Sequence, residues 1–203
     1  KDIKEGDPIT ESLFFKQELS QGILKKINNL NFSIPIRPRD YYEIHKHIPI
    51  NNYELHLSYN HINKFKITDF DKNFFKKKLF SIHMPDYCDE NTLIDFFSSN
   101  FLNKKKSEII LKKTIKIAHQ IKNINHSEVK IIVSLAGLSN KINRFTYYKK
   151  IKKLTEDLKK RSINLLPQWL PVDAWYFGGN VKTEAFSNPK DLKFLKKIKL
   201  NIC

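Results

Sequence analysis

Short apolar runs rich in β-branched residues recur along this chain at intervals of about 30 residues, and helix-patterned segments fill the gaps between them. Tyr53 to Tyr59 reads YELHLSY, with Leu55 and Leu57 on one face and Glu54, His56 and Ser58 on the other. Leu79 to Met84 and Val129 to Leu135 predict further strands, as does Ile163 to Leu166. Phe32 to Ile36 is a shorter one, and Leu200 to Cys203 opens another. Between them, Asp40 is expected to cap a helix through Tyr41, Ile44 and Ile48, and Ser107 one that carries apolar positions to 121. Tyr147, Ile151, Leu154 and Leu158 fall at steps of helical period, and Asn188 with Pro189 opens a last helix lined by Leu192, Leu195 and Ile198. Strands separated by helices must pair in parallel, because only a long crossover returns the chain in the same direction. The expected fold class is therefore α/β with a parallel sheet. A (β/α)8 barrel spends about 250 residues on eight such units. This chain holds about four and enters a fifth, so it is either an open parallel sheet or the front half of a TIM-type barrel. The half barrel is the expectation, since nothing after Leu200 covers that run.

Composition narrows the partners. No apolar run approaches the roughly 18 residues of a membrane span, so no membrane is expected. The opening KDIKEGDPIT is polar and is no signal peptide, and without a Met at its head the native start is expected upstream. The net charge of +16 would suit a polyanion. Only four of the 37 basic residues are Arg, however, and the lysines are scattered through nearly every segment. They read as solvated surface, and nucleic acid is not the expected partner. Two cysteines, Cys88 and Cys203, make neither a disulfide framework nor a zinc knuckle, and a cytoplasmic location is the default.

Parallel α/β folds bind ligands at the carboxyl ends of their strands. That rule selects His56 and Ser58, His83 and Asp86, Ser134, and Gln168 with Trp169. His83 can ligate a divalent metal or polarise a sugar hydroxyl, or simply satisfy a backbone carbonyl. His56 with Glu54 makes a ligand-and-orienter pair, or else a buried ion pair. Asp86 is a substrate or metal contact, or a turn cap. Gln168 cannot shuttle protons but can donate to a hydroxyl. The stretch Ser162 to Gly179, SINLLPQWLPVDAWYFGG, holds both tryptophans. Its loop, with Trp175 and Tyr176, reads either as a pocket wall or as a packed connection. His45, His47 and His61 are expected at the surface. No GxGxxG, GxxxxGK[ST], GxSxG or HExxH occurs.

Two resemblances add to this reading. KDIKEGDPIT resembles the opening of the SAF (antifreeze-like) domain that ends bacterial sialic acid synthases. Gly6-Asp7-Pro8 is its turn, Thr10 caps a helix from Ser12 to Lys16, and Gly22 breaks that pattern. Gln17 to Ile23 stands where the family has a basic glycine-rich loop, but the expected arginine is missing. Residues 1–31 are thus expected to be a SAF remnant. YELHLSY, FSIHMPDY, IIVSLAGL, LLPQWLPVDAWYFGG and NPKDLKFLKKIKLNIC, in that order, are similar to the sugar-phosphate isomerase/epimerase family with the xylose-isomerase-like TIM barrel. The version fused behind sialic acid synthase-type enzymes of nonulosonic acid biosynthesis is most similar.

The second resemblance covers residues 32–203. Carried over, His83 matches the family's strand-end histidine and Trp175 to Gly179 its pocket loop. Together with the strand-end rule, this makes His83 and His56 the expected catalytic residues and Glu54, Asp86, Gln168, Trp169, Trp175 and Tyr176 the expected substrate contacts. The resemblance further implies a divalent metal (Mn, Zn or Mg) at His83, a small sugar or sugar-phosphate substrate, and oligomerisation of the full-length protein. The family often has glutamate-asparagine where Gln168-Trp169 stand, and further metal ligands are expected beyond Cys203. This stretch alone is therefore expected to be inactive. The alternatives are a non-catalytic sugar-binding or structural module and a polyanion-binding basic protein.

Overall fold

The computed structural model describes residues 21–28, 32–135, 143–176, 179–183 and 185–203. The expected SAF opening, with its turn at Gly6-Asp7-Pro8 and its helix from Thr10, lies outside them, as do Ala136 and Gly137. In the described part, helix α1 spans Gln21–Asn28, so Gly22 sits in a first helical turn and not at a break.

Five strands form one parallel sheet: β1 Ile34–Ile36, β2 Asn52–His56, β3 Leu79–His83, β4 Lys130–Val133 and β5 Asn164–Pro167. Their spatial order is their sequence order, with no reversal. A right-handed crossover between successive neighbours lays every helix on the same face of such a sheet. The burial pattern follows from this. Tyr53, Leu55, Phe80, Ile82, Ile131, Val133 and Leu165 face the helices and are buried. The residues between them point to the other face: Glu54, His56, Ser81, Lys130 and Asn164, with Leu79, Ile132 and Leu166, stay half-buried or exposed, and His83 alone of that row is buried. The alternation that YELHLSY announced therefore runs across the sheet, into strands that read as evenly apolar in sequence.

Helix α2, Tyr41–His47, begins at Asp40, whose carboxylate makes no cap; it accepts from Arg37 N–H at 2.6 Å. Helix α3 (Tyr59–Lys64) and the short α4 (Lys72–Phe75) follow β2. The crossover from β3 to β4 carries α5, Phe101–Asn125, which packs on both strands. Its N-cap is Asn100, whose side chain accepts from Leu102 N–H and Asn103 N–H. The expected cap, Ser107, lies instead within the helix and is fully buried. Its hydroxyl donates to Asn103 O and accepts from Asp95 N–H, both at 2.9 Å, so it ties the preceding loop to the helix. Helix α6, Arg144–Lys159, buries Tyr147, Ile151 and Leu158 as its period predicts, leaves Leu154 partly buried, buries Tyr148 as well, and packs on β5.

Beyond β5 the expected loop is a hairpin, β6 Asp173–Tyr176 paired antiparallel with β7 Gly179–Lys182. A 3-10 turn, Pro189–Asp191, capped by Asn188, leads into α7, Leu192–Lys197. Leu195 faces the core, whereas Leu192 is exposed. The terminal run then lies along β5: Cys203 N–H donates to Pro167 O at 3.0 Å and Trp169 N–H to Cys203 O at 2.7 Å. These two bonds bracket Gln168 as one rung of a parallel ladder.

Tyrosine phenols inside this core give stability a dependence on alkaline pH. The Tyr53 hydroxyl is flanked by Ile48 O, Ile50 N–H and, at 2.7 Å, His45 Nδ1. His45 is thus a packed partner of the core and not the expected surface residue. Burial pushes the Tyr53 phenol from its ordinary 10.0 up to about 12. Tyr147 and Tyr148 are raised for the same first cause. The unfolded chain therefore loses these protons first. Stability is complete below pH 10 and declines above it, by at most ~1.4 kcal/mol per pH unit for each group. Urea midpoints measured at pH about 9 and about 11.5 are expected to fall, and the fall should shrink in Tyr53→Phe. An unchanged fall in that variant would show that Tyr53 does not contribute.

Candidate functional site at the strand ends

The parallel ladder aligns the candidate residues before any side chain is considered. His56 is the registered partner of His83, and Glu54 that of Ser81. Backbone bonds run past the strand ends: Leu57 N–H donates to His83 O and Gln168 N–H to Val133 O. Val133 is paired with Pro167, so Ser134 and Gln168 stand level one step further on.

The side chains close into one group. His56 Nε2 donates to Glu54 Oε1 at 2.6 Å, and Ser81 Oγ lies 3.4 Å from the other carboxylate oxygen. That bond from His56 holds the Glu54 carboxyl below the usual carboxylate range, although partial burial pushes the other way. The imidazoles of His56 and His83 are stacked, with centroids 4.6 Å apart and planes 17° from parallel. His83 Nδ1 donates to Met84 O at 3.0 Å, which leaves Nε2 facing the Gln168 side-chain amide at 3.0 Å. Ser134 Oγ, itself buried, reaches the same amide at 2.7 Å. An amide can turn over to offer either its oxygen or its NH2. Gln168 can therefore serve a protonated or a neutral His83, whereas a carboxylate would serve only the protonated ring.

His56 and His83 form the inner wall of a cleft of about 720 Å3, completed by Arg37, Leu57, Ser58, Tyr59, His61, Pro85, Asp86, Tyr87 and Glu90. Ser58 caps α3: its hydroxyl accepts from His61 N–H, and His61 Nδ1 accepts from Ser58 N–H. His61, expected at the surface, is thereby fixed on the cleft wall. One oxygen of Asp86, Oδ1, is buried without a hydrogen-bond partner among the described residues.

Glu54, His56, Ser81, His83, Ser134 and Gln168 thus come together, and Asp86 joins His56 and His83 on the cleft wall. Trp169 does not line the cleft; it packs, partly buried, against the hydrophobic core. The backbones of Trp175 and Tyr176 lie in β6, and the placement of their side chains is outside the described part. Sequence reasoning missed Arg37, Tyr59, Tyr87, Glu90 and Ser81. Ser81 alone carried a signal, two positions before His83 on an alternating strand. Cys203 was missed as well. The residue is exposed, but its Sγ turns in toward Pro167 O at 3.6 Å. Burial first, and then the Glu54 carboxylate, push its thiol up.

The side chains that a divalent metal at His83 would use have protein partners in this arrangement. The Glu54 carboxylate is engaged by His56, and both His83 nitrogens have partners. Imidazoles ligate in their own plane, and stacked, nearly parallel rings present their nitrogens side by side. Among the described residues, no three His, Cys, Asp or Glu side chains converge as ligands. Among them, too, no helix is long and apolar enough to cross a membrane. In comparison with known proteins, no family model, no curated protein and no solved structure matches the chain.

Proposed function

We propose that this chain forms one wall of a TIM-type (β/α)8 barrel that binds a small carbohydrate at its strand ends. The parent protein is read as a sugar isomerase/epimerase-like enzyme of the kind joined to sialic acid synthases. Support for the barrel comes from strands that never reverse order and from crossover helices α5 and α6 that pack on the strands they join. The opposite face, which carries Glu54, His56, Ser81 and His83 beside Ile132 and Leu166, is what a barrel would enclose. One observation carries the carbohydrate reading: polar side chains from the ends of β2, β3, β4 and β5 join in a single bonded and stacked group beside a cleft. Such a group offers a carboxylate, two imidazoles and an amide to the hydroxyls of a polyol, and its histidines can accept and return a proton.

Calorimetric titration with a panel of monosaccharides and their phosphates tests this. At least one is expected to bind, and His83→Ala and His56→Ala are each expected to weaken it by about tenfold or more, the worth of one or two hydrogen bonds. Binding by none, or equal affinity in both variants, would remove the reading.

A non-catalytic sugar-binding module is the second reading. The observation in its favour is Gln168, an uncharged residue that cannot move a proton, as the partner of His83. Deuterium uptake from heavy water into a bound sugar's carbon-bound positions separates the two. Uptake requires proton transfer, and a pure binder shows none.

A further inference from the structure

Helix α5 turns a face to solvent that is both basic and apolar. At about 100° per residue, positions 101, 102, 105, 109, 112 and 116 fall within one arc of about 100°. They are Phe101, Leu102, Lys105, Ile109, Lys112 and Lys116, and all six are exposed. Ile110, Thr114, Ile117 and Ile121 occupy the opposite side and are buried. The exposed arc is therefore fixed by the way the helix packs on β3 and β4. Phe101 is 72% exposed and Leu102 64%, more than any other large apolar residue among those described. With Ile109 they make a patch and not isolated exposures, and such patches mark contact surfaces.

Charge sets this face apart from the lysines scattered elsewhere. Phe101–Asn125 holds seven lysines and one carboxylate, Glu108. Glu108 stands to one side of the arc, in a groove shared with Lys150 and Lys153 of α6. Lys106 pairs with Asp89 on the other side. Among the described residues, no carboxylate comes within ion-pair distance of Lys105, Lys112 or Lys116. Along α6, by contrast, Lys152 meets Glu156 and Lys160 meets Asp157. A row of uncompensated ammonium groups repels another of its kind, so a second copy of this face is a poor partner. A nucleic acid would satisfy the lysines and leave Phe101, Leu102 and Ile109 in water. A bilayer with acidic lipids offers both halves, anionic headgroups outside and hydrocarbon immediately below. Lysine suits that boundary, because its methylenes lie along apolar surface while the ammonium reaches outward.

We propose that this face of α5 is a docking surface for an anionic lipid bilayer, with Phe101, Leu102 and Ile109 entering the headgroup layer and Lys105, Lys112 and Lys116 against its acidic groups. The helix lies on the bilayer and does not cross it, since its lysines forbid a span. The contact is independent of the carbohydrate reading, because no residue of α5 lines the cleft.

Co-sedimentation of the 203-residue chain with vesicles tests this. One set is pure phosphatidylcholine, and the other carries about 30% phosphatidylserine. Binding to the acidic set is expected to be at least about tenfold tighter, and to weaken as salt rises from about 0.1 M to about 0.5 M. Phe101→Ser combined with Leu102→Ser should weaken it by about tenfold or more, for the loss of two inserted apolar side chains. Lys105→Gln, Lys112→Gln and Lys116→Gln should each cost about fivefold. All these residues are exposed, so urea midpoints should stay at the native value. Lys149→Gln and Lys159→Gln, on exposed positions of α6, should cost far less. No binding to acidic vesicles, or equal binding to both sets, overturns the proposal. So does a serine variant that binds as the native chain does, or a loss shared equally by the α5 and α6 lysines, since net charge alone would then be at work. If light scattering shows self-association that the serine variant abolishes, or if a DNA duplex binds more tightly than the vesicles, the face has another occupant and the proposal fails.

Discussion

Replacing Asp191 with Ala is expected to cost about 3 kcal/mol of folding stability, the largest single-site effect foreseen here. The residue is 1% exposed and carries a charge, so its partners decide its worth. Arg144 Nε approaches both carboxylate oxygens, at 2.9 and 3.1 Å. Tyr148 Oη donates at 2.7 Å and in turn accepts from Phe186 N–H. One carboxylate thus joins the start of α6 to the segment that leads back from the hairpin and to the 3-10 turn before α7. In the Ala variant the buried Tyr148 hydroxyl loses its acceptor, and the site gains a small void. Arg144 is partly exposed and can turn to water, which keeps the loss below that of a fully buried pair. Asp191→Asn retains an acceptor for Tyr148 and should cost roughly half as much. Urea denaturation measures both. A loss under about 1 kcal/mol in Asp191→Ala would mean that desolvation of the carboxylate cancels its bonds.

The second large effect is expected at Gln168. Gln168→Leu keeps the volume but removes the group that joins His83 Nε2 to Ser134 Oγ. Both partners are at most 8% exposed, so neither is readily rehydrated. The expected loss is about 2 kcal/mol, the cost of leaving buried polar atoms unpaired. Gln168→Glu still accepts from both neighbours and should lie between Leu and the native residue. Sugar affinity should fall with stability in Gln168→Leu, because His83 loses one of the two bonds that orient its ring. Full stability in Gln168→Leu would show that the polar group at the strand ends is not held by this amide. Retained stability with lost affinity would show instead that Gln168 meets the ligand directly.

The strands were legible because each is a local apolar run bounded by polar or turn residues, and the interval between them forces parallel pairing. The strand-end rule then selected His56, His83, Ser134 and Gln168 from separate segments, since register in a parallel sheet carries equivalent ends to one side. Misreadings arose where a short polar side chain had two local uses. Ser107 looks like a cap, yet α5 begins earlier at Asn100, which offers the same chemistry, and Ser107 serves a long-range bond to Asp95 N–H instead. The stretch after Gln168 hid a hairpin, because its strands carry no clean alternation. His45 and His61 looked like surface residues because both lie on short helices whose neighbours in space come from other segments: Phe74 for His45, Arg37 and Asp86 across the cleft for His61.

Sequence by itself determined the class of the fold and the candidate polar group at the strand ends. Periodicity and spacing are local properties that fix which segments are strands, which way they run and which residues fall at their ends. Only the tertiary structure decided that one face of the sheet is fully buried while the other carries the strand-end polar group, and that His56 stacks on His83. It alone showed the cleft beside that group. These depend on distances between residues as far apart as Arg37 and Asp86, or His83 and Gln168, and such distances are set by crossover handedness and packing, which no short stretch of sequence encodes.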